Sequence, residues 1–127
     1  MLTLSGGPLN SSGQAPAVYL ASGDTDLRKS IDSLAAIVKY SFDLDVFSSS
    51  LFVFCNRDRN KLKILYWDHN GFWLYYRRLD SGRFKWPKHN SGQSAMPVSR
   101  RQLQWLLDGL SLEQHKAHPE VLTRIAV

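Results

Sequence analysis

Asp68-His69-Asn70-Gly71 sets an acid, an imidazole and an amide side by side, and Lys88-His89-Asn90 repeats the His-Asn pair. A metal-dependent nuclease gathers such groups round one cation that polarises a phosphate or activates water. The same residues have a simpler use. "HNG" between two strand-like runs is hairpin-turn chemistry, with Asn70 and Gly71 able to adopt positive φ. His115 and His118 lie three apart, but two histidines fall short of a zinc site's ligand set. Cys55 is the single cysteine, so it forms no internal disulfide and completes no multi-cysteine metal site. No G-x-S-x-G, phosphate-cradling glycine loop or local carboxylate pair is present. These readings lead to an expectation of no catalytic residue, no metal and no cofactor.

A stronger signal lies in "KLKILYWDHNGFWLYYRRL", residues 61–79. It holds six aromatic side chains among Lys61, Lys63, Arg77 and Arg78. Residues 57–88 carry nine Lys or Arg against three Asp. The net charge of the whole chain is +5, so this one segment holds the entire positive excess. Cations neutralise phosphates and release counterions, while flat rings stack on exposed bases. Segregated charge of this kind points to a polyanionic partner. The competing reading is a solvated sheet face on which cross-strand aromatic pairs only brace the strands.

The elements that must position these residues follow from periodicity. Residues 1–16 are rich in Gly, Ser, Pro and Asn and read as a flexible lead-in. "AVYLAS" (17–22) reads as a short strand. Leu27, Ile31, Leu34, Ala35 and Val38 form one apolar stripe and predict a helix over 26–40. Asp24 or Thr25 would cap it and Asp26 would favour its positive end. Arg28 and Asp32, four apart, would pair on its surface. "LFVFCN" (51–56), "KLKILYWD" (61–68), "GFWLYYRRL" (71–79) and "RFKWP" (83–87) predict four strands. Their short, turn-rich connections imply an antiparallel meander. "KHNSGQSAMPV" reads as a polar loop. Ser99 with Gln102 is a capping-box pattern. Leu103, Leu106, Leu107 and Leu110 give a second helix its apolar stripe, with Gly109 near its end. The residues after Leu110 read as a short helical or flexible tail, 111–127.

The expected fold is therefore α+β: an antiparallel β-meander of four or five strands, with two main helices packed on one face. One domain spans 17–110. Strand alternation splits each run in two. The apolar sets Leu62, Ile64, Tyr66 and Phe72, Leu74, Tyr76 would meet the helices. Lys61, Lys63, Trp67, Trp73, Tyr75, Arg77, Arg83 and Lys85 would share the open face and bind nucleic acid.

Length and composition fit a folded domain with a real core, at 127 residues and 43% hydrophobic content. No apolar run nears the roughly 18 residues of a membrane span, so no membrane partner is expected. The N-terminus lacks a secretory pattern, and a lone cysteine suits a reducing compartment; a cytoplasmic location is expected.

"VYLASGDTDLRKSIDSLAAIV" followed by "DVFSSSLFVFCNRDRNKLKILYWDHNGFWLYYRRLDSGRFKWP" closely resembles the insertion sequence 66 family of bacterial transposon accessory proteins. These are the second-open-reading-frame products called TnpB in that family. The likeness runs from about Val18 to Leu110. Matching motif positions are Asp26, Arg28, Lys29, Asp32, Asn56, Arg57, Lys63, Trp67, Asp68, Gly71, Trp73, Arg83 and Trp86. Leu27 stands where the family usually has Met, and the lead-in is longer and more polar. The resemblance implies a non-catalytic factor for DNA transposition and recombination, encoded beside a separate transposase. DNA, as element ends or non-specifically, the transposase and a second accessory protein are the implied partners. It does not imply the larger RNA-guided nuclease that shares the name TnpB. A module that docks on the transposase without touching DNA is the alternative.

Overall fold

The computed structural model describes residues 15–88 and 92–114. Residues 1–14 of the expected lead-in, His89, and residues 115–127 with His115 and His118 lie outside them. Five strands form one mixed sheet: β1 (Val18–Ala21), β2 (Leu51–Cys55), β3 (Lys61–Asp68), β4 (Gly71–Arg78) and β5 (Ala95–Val98). Their order is β4-β3-β2-β1-β5. The expected α+β class and strand number hold. The meander comprises β2, β3 and β4, whereas β1 runs parallel to β2 and antiparallel to β5. The long connection from β1 to β2 makes the parallel pair possible, because it holds a helix that crosses over the sheet.

That helix, α1, spans Ile31–Ala36 and continues as a π-helical turn over Ile37–Ser41. A second helix, α2, spans Arg100–Leu107. Leu34 and Val38 are buried with Phe52, Phe54 and Leu65. Leu103, Leu106 and Leu107 are buried with Leu51, Val53, Leu62, Ile64 and Tyr66. Neighbouring residues of β2 and β3 thus alternate between two separate cores. The helices cover opposite faces of the sheet, which corrects their expected placement on one face. The central strand β2 is buried at all five positions, as a strand covered on both sides must be.

α2 forms as its sequence suggests. The Ser99 hydroxyl accepts the Gln102 N–H at 3.0 Å, and the Gln102 side chain accepts the Ser99 N–H at 2.9 Å. Gly109, at φ +81°, lets the chain leave in the left-handed region that side chains disfavour.

α1 starts five residues later than the stripe suggests. Asp26 bonds the Arg28 backbone N–H and its guanidinium instead, which holds 26–28 as a turn. Arg28 therefore pairs with Asp26, not Asp32. The "RFKWP" run forms no strand. Phe84 is drawn into the α2-side core, and the Trp86 indole N–H donates to the Ala21 carbonyl at 3.0 Å. The fifth strand comes from "AMPV", inside the expected loop. At the β3–β4 turn His69, not Asn70 or Gly71, takes the positive φ, at 56°. Among the described residues, no helix is long and apolar enough to cross a membrane.

Candidate nucleic-acid interface

The turn from β2 to β3 is built around Asn56. Its Oδ1 accepts the backbone N–H groups of Asn60 and Lys61 at 3.1 and 3.0 Å. Its Nδ2 donates to the Asn60 side chain at 2.7 Å. Only a short amide places one acceptor and one donor so close to its own backbone. Arg59, at φ 60°, directs its guanidinium inward to the Gly23 carbonyl at 2.9 Å. The same guanidinium lies 5.8 Å from the centre of the Trp86 ring. Thr25 N–H donates to the Cys55 carbonyl at 2.8 Å, and the Lys63 ammonium donates to the Leu27 carbonyl at 2.6 Å. These bonds lash residues 21–27 to the ends of β2 and β3.

The lashing creates an open groove of about 710 Å³, lined by residues 24–28 and 56–58, Lys61, Lys63 and Tyr76. Five of the motif positions, Asp26, Arg28, Asn56, Arg57 and Lys63, meet in it from two distant stretches of chain. Arg28 is locked to Asp26 through a two-pronged contact, with Nη2–Oδ2 at 2.8 Å and Nε–Oδ1 at 3.0 Å. The guanidinium holds the Asp26 carboxyl well below the usual carboxylate range, and Asp26 raises Arg28 in turn. Arg57 and Lys61 have no side-chain hydrogen bond or ion pair among the described residues. Exposed Tyr76 presents its ring beside them, opposite Lys63 in the β3–β4 register.

The single face expected for the eight candidate residues is divided. Register pairs Lys61 with Arg78, Lys63 with Tyr76 and Trp67 with Phe72, all on the α1 side. It pairs Leu62 with Arg77, Ile64 with Tyr75 and Tyr66 with Trp73, on the α2 side. Trp73, Tyr75 and Arg77 therefore look away from Lys61, Lys63 and Trp67. Arg83 and Lys85 are exposed on the irregular segment either side of buried Phe84. Trp67 is engaged edge-on by Phe47 and Phe72, each at 4.9 Å between ring centres. Trp73 stacks on Tyr75 at 6.2 Å. Burial raises the Tyr75 phenol above its usual range.

Tyr76 was placed by sequence among the buried residues, yet it is 55% exposed. The two-residue turn His69-Asn70 carried the missing signal. It pairs Asp68 with Gly71, and counting back from there sets Tyr76 beside Lys63. Of the remaining motif positions, Asp32 and Lys29 are exposed near the start of α1, and Asp68 and Gly71 close the hairpin. Among the described residues no three His, Cys, Asp or Glu side chains gather closely enough to hold a metal ion.

A family model described as "IS66 Orf2 like protein" matches residues 16–117. The chain is 40% identical over 99 residues to the uncharacterized protein y4hO of Sinorhizobium fredii (strain NBRC 101917 / NGR234), covering 78% of this chain and 84% of that one. It is 28% identical over 102 residues to the uncharacterized protein y4jC of the same organism, covering 80% and 86%. No solved structure matches significantly. A match over residues 16–117, most of the length, together with the y4hO likeness, places this chain in the IS66 Orf2-like family, whose setting is the transposition of IS66-type elements.

Proposed function

We propose that the chain is a non-catalytic, cytoplasmic accessory factor for transposition that binds DNA along the groove beside Tyr76. One observation carries this reading: an exposed ring set among Arg57, Lys61 and Arg28, of which Arg57 and Lys61 have no side-chain partner among the described residues. Exposed cations supply the salt-sensitive grip on phosphates. An exposed ring adds stacking, which requires an unpaired base and so favours single-stranded or opened DNA. Arg78, beside Lys61 on the same side of the sheet, is paired with exposed Asp80 at 3.1 Å. Asp24, Asp26 and Asp58 line the same groove as Arg28, Arg57, Lys61 and Lys63, so its positive excess is small.

The test is fluorescence anisotropy of the full chain with labelled single- and double-stranded DNA across a salt series. Binding that weakens steeply with salt and favours the single strand is the expected result. The competing partner is the transposase or a second accessory protein. Absence of DNA binding at low salt, with capture of the purified transposase, would replace the DNA reading by that one.

A further inference from the structure

The two edges of the sheet differ. β5 is four residues long and contains Pro97, which has no N–H to offer a neighbour. β4 is eight residues long, pairs with β3 in unbroken register, and contains no proline. Among the described residues no strand lies on its other side. The Leu79 N–H donates to the Asn60 carbonyl at 2.8 Å, one step beyond the Lys61–Arg78 pair. Hydrogen-bonding positions alternate along antiparallel strands, so the odd-numbered residues of β4 turn their backbone groups toward β3. Phe72, Leu74, Tyr76 and Arg78 turn theirs outward. A free edge of this length is a template for one more strand.

We propose that the occupant is β4 of a second copy, paired antiparallel about a twofold axis perpendicular to the sheet. Parallel pairing would set Arg77 and Arg78 beside their own copies, and like charges directly opposite repel. Antiparallel pairing sends the arginines to opposite ends. The perpendicular axis keeps each face on its own side, so opposed residue numbers must add to an even number. Only outward-turned residues can then exchange hydrogen bonds. A register centred on Tyr75 uses the whole strand. It places Trp73 opposite Arg77 of the second copy, Phe72 opposite Arg78, and Leu74 opposite Tyr76. The guanidinium of Arg77 thereby meets Trp73, a 54% exposed ring that attracts cations. The axis also leaves both Tyr76 grooves on one side of a sheet continuous through the two copies. The proposal rests on the edge and its register, independently of DNA binding.

Sedimentation of the full chain over a concentration series tests it. A rise from the 14.5 kDa chain mass to twice that value is expected. Tyr76→Pro removes an outward N–H while sparing the bonds to β3, and should abolish the dimer with the circular dichroism unchanged. Trp73→Lys, set against Arg77, should also give a monomer, and adding Arg77→Glu should restore the dimer. The two positions lie about 13 Å apart along one strand, so the rescue works only between copies. Three results would overturn the proposal. One is a monomer up to about 1 mM, the weak end of specific association. Another is a dimer indifferent to both the proline and the charge pair. The third is slow exchange of the Leu74 and Tyr76 amides at every concentration, which would mean that another part of the same chain covers the edge.

Discussion

Two groups of residues in and beside the groove are held in opposite ways. Asn56, Arg59, Lys63 and Trp86 spend their polar atoms on backbone carbonyls and N–H groups, and their positions are fully explained by folding. Arg57, Lys61 and Tyr76, a few residues away, make no such bonds, and Arg28 is tied only to Asp26 on the surface. Nothing in the stability of the fold requires cations and an exposed ring at these positions. The lesson of the contrast is that the same stretches of chain supply both a frame and the surface that the frame presents.

The contrast can be broken first at the frame. Asn56→Ala removes the acceptor of two backbone N–H groups and a partner of Asn60. At about 1 kcal/mol per hydrogen bond, the loss should be about 3 kcal/mol, a fall of more than about 10 °C in Tm by calorimetry. Arg59→Ala should cost about 2 kcal/mol through the Gly23 bond and the Trp86 contact. Arg59→Gly should be milder by about 1 kcal/mol, because glycine adopts the φ of 60° without strain.

Lys63 and Lys61 sharpen the comparison, since they are two residues apart on the same side of β3. Lys63→Glu would bring a carboxylate against the Leu27 carbonyl and should cost about 1–3 kcal/mol in denaturant unfolding. Lys61→Glu should stay within about 0.5 kcal/mol of the parent, as expected for a side chain with no such bond. Treating Lys61, Lys63 and Arg77 as equally solvated would therefore misjudge Lys63.

The smallest effect is expected at the exposed Asp26–Arg28 pair. Its folded carboxyl titrates below the ordinary 3.8, so any stabilisation is present above that value and fades as pH falls toward the lower one. The Tm difference between the parent and Asp26→Asn should be slight near neutrality and should vanish in strong acid. Carboxyl titration by NMR should show Asp26 rising toward the ordinary range in Arg28→Ala, with the bond from the residue 28 backbone N–H still holding it somewhat low.

Much of this arrangement could be read from local patterns. The capping box, the leucine stripe of α2 and the short turns between β2, β3 and β4 depend on neighbours in sequence, and each formed. What depended on distant partners did not show. β5 was hidden because "AMPV" acquires its strand only by pairing with β1. The second covered face was hinted at by "LFVFC", whose unbroken apolar run suits a strand buried on both sides. α1 looked longer than it is, because Leu27 continues the apolar stripe while Asp26 holds the backbone in a turn. The groove itself was invisible, because residues 24–28 meet 56–63 only through bonds made in the folded chain.

The central claim is that the free cations of the groove grip phosphates. The most direct test is the slope of log binding constant against log salt for the parent and for Lys61→Ala and Arg57→Ala. Each variant should fold as the parent does and lower the slope by about one, the signature of one lost phosphate contact. Unchanged slopes in both variants, with DNA still bound, would place the contact surface elsewhere and contradict the account.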